Sequence, residues 1–451
     1  MRLSASDHCG PTRRQLLALG ALVPAAVALL GGCSLASGNQ LTSKVTHETV
    51  HPSDVPSQVT GAAAACDQLG GKLLTHYLKA DPETTAMASP LSLALLLAIL
   101  ADGAGDAKAQ GFDALLGLSG EDRDRAWSAI QNSLNRHDGD LKGFDPDKIP
   151  AKPLVHLANH ILIADEKKFK VEQAYLDTVL HWFSAEIEQV GVGSMKENLD
   201  SWASRNTAGL IPSSGIKVTQ DTRLVVQNAL LFAAQWDSPF KAEGTEQEDF
   251  TLAGGKTVKA DLMNGKHNIP YATGKGWAAV RLNYASGEDG RDSDLALDVV
   301  LPDAGTLPGA MGAGTWAEAS KALDAAQTRE VLVSLPKLDL TSQPKELLTF
   351  LTEQELKPEG LDRIAPELAL TQVVQQIRLV LDEEGTVAAA LSEGAAVEMA
   401  APAEQTKPIE FTVDHPYVLR LRDLTSGTAL LEAAVMDPTL KTVGASAGAS
   451  A

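Results

Sequence analysis

Aromatic side chains make up only 4% of this 451-residue chain, although 44% of it is hydrophobic. Its core must therefore be packed by aliphatic groups. Cysteine is also scarce, with three in all. Cys9 and Cys33 belong to the N-terminal leader and its end, so Cys66 stands alone in the body of the chain, which excludes a disulfide framework. Cys66 lies in a helical stretch and is expected as a small buried core residue. No Gly-x-Ser-x-Gly elbow, His-Glu-x-x-His zinc motif or P-loop occurs, and the lone Gly274-Lys275-Gly276 is expected as a hairpin bend. An extracellular hydrolase has no motif to rest on. Positive charge is in deficit, at 38 Lys+Arg against 58 Asp+Glu, a net −20 that repels phosphate backbones and argues against a nucleic-acid partner. His156 and His160 have metal-ligand spacing for a helix. Their segment Leu154–Ile163 reads as a strand, which holds them about 13 Å apart, so neither a metal nor any other cofactor is expected.

The N-terminus is an address rather than part of a fold. Arg13-Arg14 precede an apolar run ending at Leu30, a pattern of twin-arginine export. That run is too short and too early for a spanning helix. It ends in Leu30-Gly31-Gly32-Cys33, which resembles a bacterial lipobox. Residues 1–32 are then an export signal, and Cys33 carries acyl chains that anchor the protein to the outer face of the cell membrane. Losing the leader removes a net +2 and leaves −22. Residues 33–58, rich in Ser, Thr, Gln and Pro, are expected as a flexible tether.

One discontinuous domain is expected over residues 59–440, with no linker inside it. Helical patterns fall at about 61–80, 88–101, 108–117, 121–136, 171–183, 195–209 and 344–356. The run Leu91–Leu100 is apolar on nearly every side, the mark of a buried helix. Strand patterns fall near 154–164, 223–234, 256–263, 295–301, 329–338 and 372–383, with short ones after 409. Helices early and strands late give an α+β layout. Residues 441–451 are low in complexity and expected to be disordered.

The most distinctive stretch follows the strand at 372–383. Asp382-Glu383-Glu384-Gly385-Thr386 runs into Val387-Ala388-Ala389-Ala390 and a long alanine-rich span, before strand-like sequence resumes at Phe411. Adjacent carboxylates on a strand point to opposite faces, so 382–384 is expected as a solvated strand end rather than an acid/base pair. Every second residue from Thr386, namely Ala388, Ala390, Ser392, Gly394 and Ala396, is no larger than threonine. Such a segment can enter a packed sheet without driving a bulky group into the core.

Glu383-Glu384-Gly385-Thr386 with Ala388-Ala389-Ala390 resembles the hinge of the serpins, the serine protease inhibitors that insert a cleaved loop into their own sheet. Further landmarks occur in family order. They are Ser89-Pro90-Leu91-Ser92, Thr222–Ala229, Trp236-Asp237-Ser238-Pro239-Phe240, Glu248-Asp249-Phe250, Leu335-Pro336-Lys337, His415-Pro416-Tyr417 and Asp437-Pro438. The resemblance implies a serpin fold, with several helices on a large central mixed sheet plus smaller sheets, and an exposed reactive-centre loop over about 383–408. It implies no enzyme but a monomeric protease inhibitor acting as a suicide substrate. In the family register Gly385 lies fourteen residues before the scissile residue, which places the reactive bond at Met399–Ala400. An unbranched apolar Met399 fits proteases of elastase, chymotrypsin or subtilisin type, whereas Lys407 is too late in the loop to serve a trypsin-like pocket. Ser89, Ser92 and Asn228 match the polar cluster where the sheet parts, and Trp236 matches the tryptophan at its upper opening. Gln375 stands where the family has a histidine and retains both donor and acceptor. The alternatives are a non-inhibitory protein of the same fold, which would carry bulky or charged residues on the inserting side, and a cell-surface lipoprotein binding a small ligand.

Overall fold

The computed structural model describes residues 39–145, 148–166, 170–286, 294–357, 359–386 and 408–443. Four helices come early: α1 (Pro56–Ala80), α2 (Pro90–Gly103), α3 (Asp106–Leu116) and α4 (Gly120–Asn135), with α5 (Gln173–Trp182), α6 (Val192–Asn206), α7 (Ala313–Asp324) and α8 (Leu348–Glu353) between strands. The strands are β1 (Asn39–Gln40), β2 (Ala86–Ala88), β3 (Leu154–Ala164), β4 (Glu186–Val190), β5 (Leu224–Gln235), β6 (Thr245–Thr251), β7 (Thr257–Gly274), β8 (Trp277–Asn283), β9 (Leu295–Pro302) and β10 (Thr328–Pro336). They continue with β11 (Leu338–Ser342), β12 (Lys345–Glu346), β13 (Gln372–Gln375), β14 (Arg378–Leu381), β15 (Gly385–Thr386), β16 (Ile409–Thr412), β17 (Tyr417–Asp423), β18 (Ala429–Val435) and β19 (Thr442–Val443).

Two sheets carry the fold. One runs β1-β4-β3-β5-β15-β14-β11-β19, and the other runs β16-β10-β7-β8-β9-β17-β18-β2. Both mix parallel and antiparallel neighbours, so the α+β architecture expected from the sequence is the one observed. Helix α2 explains why residues 91–100 are apolar all round. It packs on β5 of one sheet and β18 of the other, and every residue from Leu91 to Ala101 is buried. Ser89 caps its first turn, accepting from the Ser92 N–H at 3.4 Å. On the opposite face of the central sheet α6 packs against β3 and β5, with Trp202 stacked on His160 at 5.1 Å.

Several expectations change. The span expected as a tether is packed from residue 39 onward: Asn39 and Gln40 pair with Gln189 and Glu188, and Val50 is buried. The expected tail likewise contributes β19, which pairs with β11 and buries Val443. Both segments add ladder bonds to an otherwise open sheet edge, which their polar composition does not announce. The strand expected over 372–383 is broken at Gln376-Ile377 into β13 and β14, and the 344–356 helix shortens to α8. Strands β4 and β8 and helix α7 were not foreseen. Gly276, at φ 81°, makes the β7–β8 turn. His156 and His160 lie on a strand and bond Asp138 and Gln227, and the described residues hold no cluster suited to a metal ion.

Cys66 is fully buried in α1, its thiol facing the Ala429 carbonyl at 3.6 Å, and burial pushes its pKa well up. A chain starting at residue 39 should therefore show no reactive thiol to an aromatic disulfide reagent in native buffer and one in denaturing urea. Native-state labelling would contradict this packing.

Candidate functional site

Among the described residues, no strand lies between β5 and β14 over most of the height of the central sheet. At the lower end β13 closes against β5 through Gln372↔Val225 and Val373↔Val226. At the upper end the two-residue β15 is wedged between them, with Thr386 opposite Ala234 on one side and Leu381 on the other. The space between is a cavity of about 70 Å³, enough for several waters. Ser92, Leu93 and Leu96 of α2 lie at its floor, and Thr207, Leu210 and Ile211 line it from the other side. We refer to the upper end as the hinge pole.

The wedge is held by a tight turn at Asp382–Gly385. The Asp382 N–H donates to the Gly385 carbonyl at 2.9 Å, and the Asp382 carboxylate accepts the Glu384 and Gly385 N–H groups at 3.0 and 3.2 Å. These carboxylates are therefore not a solvated strand end. Trp236 donates its main-chain N–H to the Glu384 carbonyl and its indole N–H to the Asp382 carbonyl, at 2.8 and 2.9 Å. The Phe240 N–H reaches the Glu383 carbonyl at 2.9 Å. Glu383 is clasped by the Lys337 ammonium at 2.5 Å and the Thr245 hydroxyl at 2.6 Å. Burial raises the Glu383 pKa, but these two donors outweigh it and hold the carboxyl below its ordinary value. At Asp382 burial prevails over the backbone donors, and the pKa is raised.

Thr386 is already turned inward. It is 2% exposed, and its hydroxyl shares a 2.7 Å hydrogen bond with Tyr284, which stacks on Trp236 at 4.6 Å. Gly385 permits this seat: a Cβ there would lie 2.1 Å from the Ala234 carbonyl oxygen, closer than any side chain can sit. Trp236 thus braces the turn as well as filling the core.

The polar cluster at mid-height is divided. Ser89 bonds the Ser92 hydroxyl at 2.8 Å and the Leu430 carbonyl at 2.7 Å. Gln375 pairs with the Ser89 main chain like a peptide in a ladder, accepting from its N–H and donating to its carbonyl, both at 2.9 Å. Asn228 lines the same cavity without bonding these serines. Its amide donates to Asn159 at 2.8 Å, and its oxygen is buried without a partner. Cys33, Ala388, Ala390, Met399 and Ala400 lie outside the described residues.

Sequence reasoning missed Tyr284 and gave Lys337 no role. Lys337 could have been sought as the basic partner of a buried glutamate. Nothing local marks Tyr284, which the fold brings to Thr386 from 102 residues away.

The family model described as Serpin (serine protease inhibitor) matches residues 64–438. An uncharacterized serpin-like protein of Thermococcus kodakarensis is 27% identical over 361 residues, covering 78% of this chain and 80% of its own. Alpha-1-antiproteinase of Rattus norvegicus is 26% identical over 368 residues, covering 78% and 83%. Among solved structures, the thermophilic serpin tengpin in the native state superposes with a TM-score of 0.72 at 18% identity, over 89% of this chain and 99% of that one.

Removing either hydroxyl of the Tyr284–Thr386 pair leaves the other buried without its partner. Tyr284→Phe and Thr386→Val should each cost about 1–3 kcal/mol in urea unfolding, and the double variant less than their sum. Strict additivity would deny the bond. Because the Lys337 and Thr245 donors hold the folded Glu383 carboxyl below the ordinary glutamate range, its contribution is complete above that range and lost as pH falls through the folded value. Glu383→Gln should cost stability at pH 7 and flatten this part of the acid unfolding curve. An unchanged curve would show that the Lys337 clasp contributes nothing.

Proposed function

The chain belongs to the serpin family, and we propose that it is an inhibitory member that traps serine proteases as a suicide substrate at Met399–Ala400. Members of this family are mostly protease inhibitors rather than catalytic enzymes. The observation that carries the proposal is the strand position between β5 and β14 that no described residue fills, with the first inward residue of the loop already seated at its mouth.

The seated residues set a register. Each step down the loop moves one residue back along β5, so Ala388 comes opposite Phe232, Ala390 opposite Leu230 and Ala395 opposite Val225. The small side chains fall on the face of Thr386, over α2. Ser392 comes opposite Asn228, where its hydroxyl would meet the unpartnered amide oxygen. The other face is not open to solvent: Ala229, Leu231 and Ala233 of β5 are buried there. Val387, Ala389 and Leu391 would pack rather than project, so an arginine at 387 would not be the harmless control that strand alternation alone suggests. Completing the strand must also break the β5–β13 pairing at Val225 and Val226.

In the proposed reaction the protease serine attacks the Met399 carbonyl, the bond to Ala400 breaks, and the Ala400 amine leaves with a proton from the protease histidine. The resulting ester is carried along as the loop inserts. The segment from Glu383 to Met399, seventeen residues, spans about 55 Å when extended. Distortion of the carried protease stalls attack by water, since losing one oxyanion-hole donor alone costs about 3–4 kcal/mol. An apolar, unbranched Met399 suits elastase-, chymotrypsin- or subtilisin-like pockets. Arg13-Arg14 and the lipobox support export and anchoring through Cys33 at the outer face of the cell membrane.

Incubation with subtilisin or elastase should give a 1:1 complex that survives a denaturing gel, with a C-terminal fragment beginning at Ala400. Ala390→Arg must bury an unpaired charge over α2, so it should be cleaved normally yet form little complex. Cleaved inhibitor with fully active protease across a whole protease panel would instead indicate a non-inhibitory serpin. Cys33→Ser should move the protein from membranes to the soluble fraction without altering inhibition, and unchanged fractionation would refute the anchor.

A further inference from the structure

Of the two histidines whose spacing stands out in the sequence, His160 is complete as a neutral ring and His156 is not. His160 is fully buried on β3, with Gln227 donating an amide N–H to its Nδ1 at 3.0 Å and its own Nε2–H directed at Glu188 at 3.3 Å. The same Gln227 nitrogen reaches the Leu199 carbonyl at 3.4 Å, which fixes the orientation of the amide. One proton on the ring satisfies both sides. His156 lies nearer the hinge pole, opposite Leu231, where Thr386 lies opposite Ala234 on the same strand β5. It meets acceptors on both sides: its Nδ1 is 2.8 Å from Asp138 Oδ1 and its Nε2 is 3.1 Å from Asn206 Oδ1. Asn206 cannot turn its nitrogen to the ring instead, because that nitrogen donates to the Trp202 carbonyl at 3.0 Å. A neutral imidazole has one N–H and leaves one of these acceptors facing a lone pair. An imidazolium bonds both.

The bond to Asn206 matters because of how α6 is seated. Asn198, Trp202 and Asn206 follow at four-residue spacing on one face of the helix, and all three are buried. Asn198 donates to Glu188 at 2.8 Å, Trp202 stacks on His160 at 5.1 Å, and Asn206 meets His156. The seam between α6 and the sheet is therefore polar along this row. The chain returning from α6 is bonded to the helix itself. The Thr207 hydroxyl donates to the Ala203 carbonyl at 2.8 Å and accepts the Ile211 N–H at 3.0 Å, and Asp200 accepts the Ser214 N–H at 2.8 Å. Thr207, Leu210 and Ile211 line the cavity beside β5. Helix α6 and residues 207–214 thus form one lid over that cavity.

We infer that His156 is an acid-closed latch: as an imidazolium it pins the C-terminal end of α6 to β3, and loss of its proton loosens α6 and residues 207–214 together from the central sheet. The acids facing it are Asp138, from the segment after α4, and Glu186 of β4, which is bridged to Arg205 of α6 at 2.8 Å. From β5 it faces the uncharged Leu231. Burial lowers the His156 pKa, but the bonds to Asp138 and Asn206 outweigh it and hold the ring above the ordinary histidine value. A folded pKa above the unfolded one gives stability that is complete below the unfolded value and is lost as pH rises through the folded one. The latch is thus shut in mildly acidic medium and opens toward alkaline pH. It holds whether or not the chain inhibits a protease.

The test is hydrogen exchange read by mass spectrometry on the full chain, with labelling times scaled to the intrinsic exchange rate at each pH. An undocked α6, 15 residues long, exchanges because a helix of that length is marginal alone. Protection over residues 192–214 should fall about ten-fold between about pH 5.5 and about pH 8.5, while β3 and β5 stay protected. His156→Gln should remove the pH dependence and leave α6 at the loosened level throughout. Asn206→Asp sets a carboxylate against the second ring nitrogen and should move the loss of protection to higher pH, a shift that a merely structural role for His156 would not produce. Wild-type protection that does not change with pH overturns the latch, as does a pH profile retained in full by His156→Gln. Should His156→Gln fail to fold, the wild-type profile and Asn206→Asp decide, and a midpoint that stays in place or moves to lower pH overturns the inference.

Discussion

Among the described residues the ladder between β5 and β14 is incomplete, and the rest of the structure depends on that constraint. A strand added there would gain ladder bonds on both edges over about ten residues. At about 0.5–1.5 kcal/mol net per bond, the gain is of order 10 kcal/mol, comparable to the stability of a whole domain. In the inhibitory reading proposed above, the described fold would then be one of two well-bonded arrangements open to the chain. In that reading it would persist because the chain is held on both sides of the loop, at Thr386 in the central sheet and at Ile409 of β16, which pairs with β10.

The turn at Asp382–Gly385 and Thr386 stands at the upper end of that incomplete ladder. Most of its bonds come from outside the loop: Trp236 and Phe240 hold the turn's carbonyls, Lys337 and Thr245 hold Glu383, and Tyr284 holds Thr386. The absence of a Cβ at Gly385 lets the backbone close on Ala234. Lower down, Gln375 ties β13 to the start of α2 through the Ser89 main chain. A strand lengthened downward from Thr386 would next have to displace β13 from Val225 and Val226. Insertion, as proposed above, would thus be governed by a firmly held entry and by a lower pairing that has to yield.

The sheet's outer edges are also occupied. β1 covers β4 and β19 covers β11, so neither edge presents unpaired backbone along those residues, the usual route to strand-mediated association. Segments whose polar, low-complexity composition suggested a tether and a tail become edge strands because an open edge offers hydrogen bonds to any extended backbone, whatever its side chains.

The sequence by itself determined the α+β class, the buried α2, the absence of metal and nucleotide motifs, and the alternation of small residues after Thr386. Each of these is written in local periodicity or spacing, and local patterns act through near neighbours. The family resemblance, carried by motifs from Ser89 to Pro438, located the hinge and the cluster at Ser89, Ser92 and Gln375. Only the tertiary structure decided that 382–385 is a turn, that Thr386 is already inside, and that Asn228 bonds Asn159 instead of the serines. Only it placed β1 on the edge of β4. These outcomes rest on contacts such as Tyr284–Thr386 and Lys337–Glu383 and on strand pairings between distant segments. Their energies arise when remote side chains and sheet edges meet, so no local window of sequence contains them.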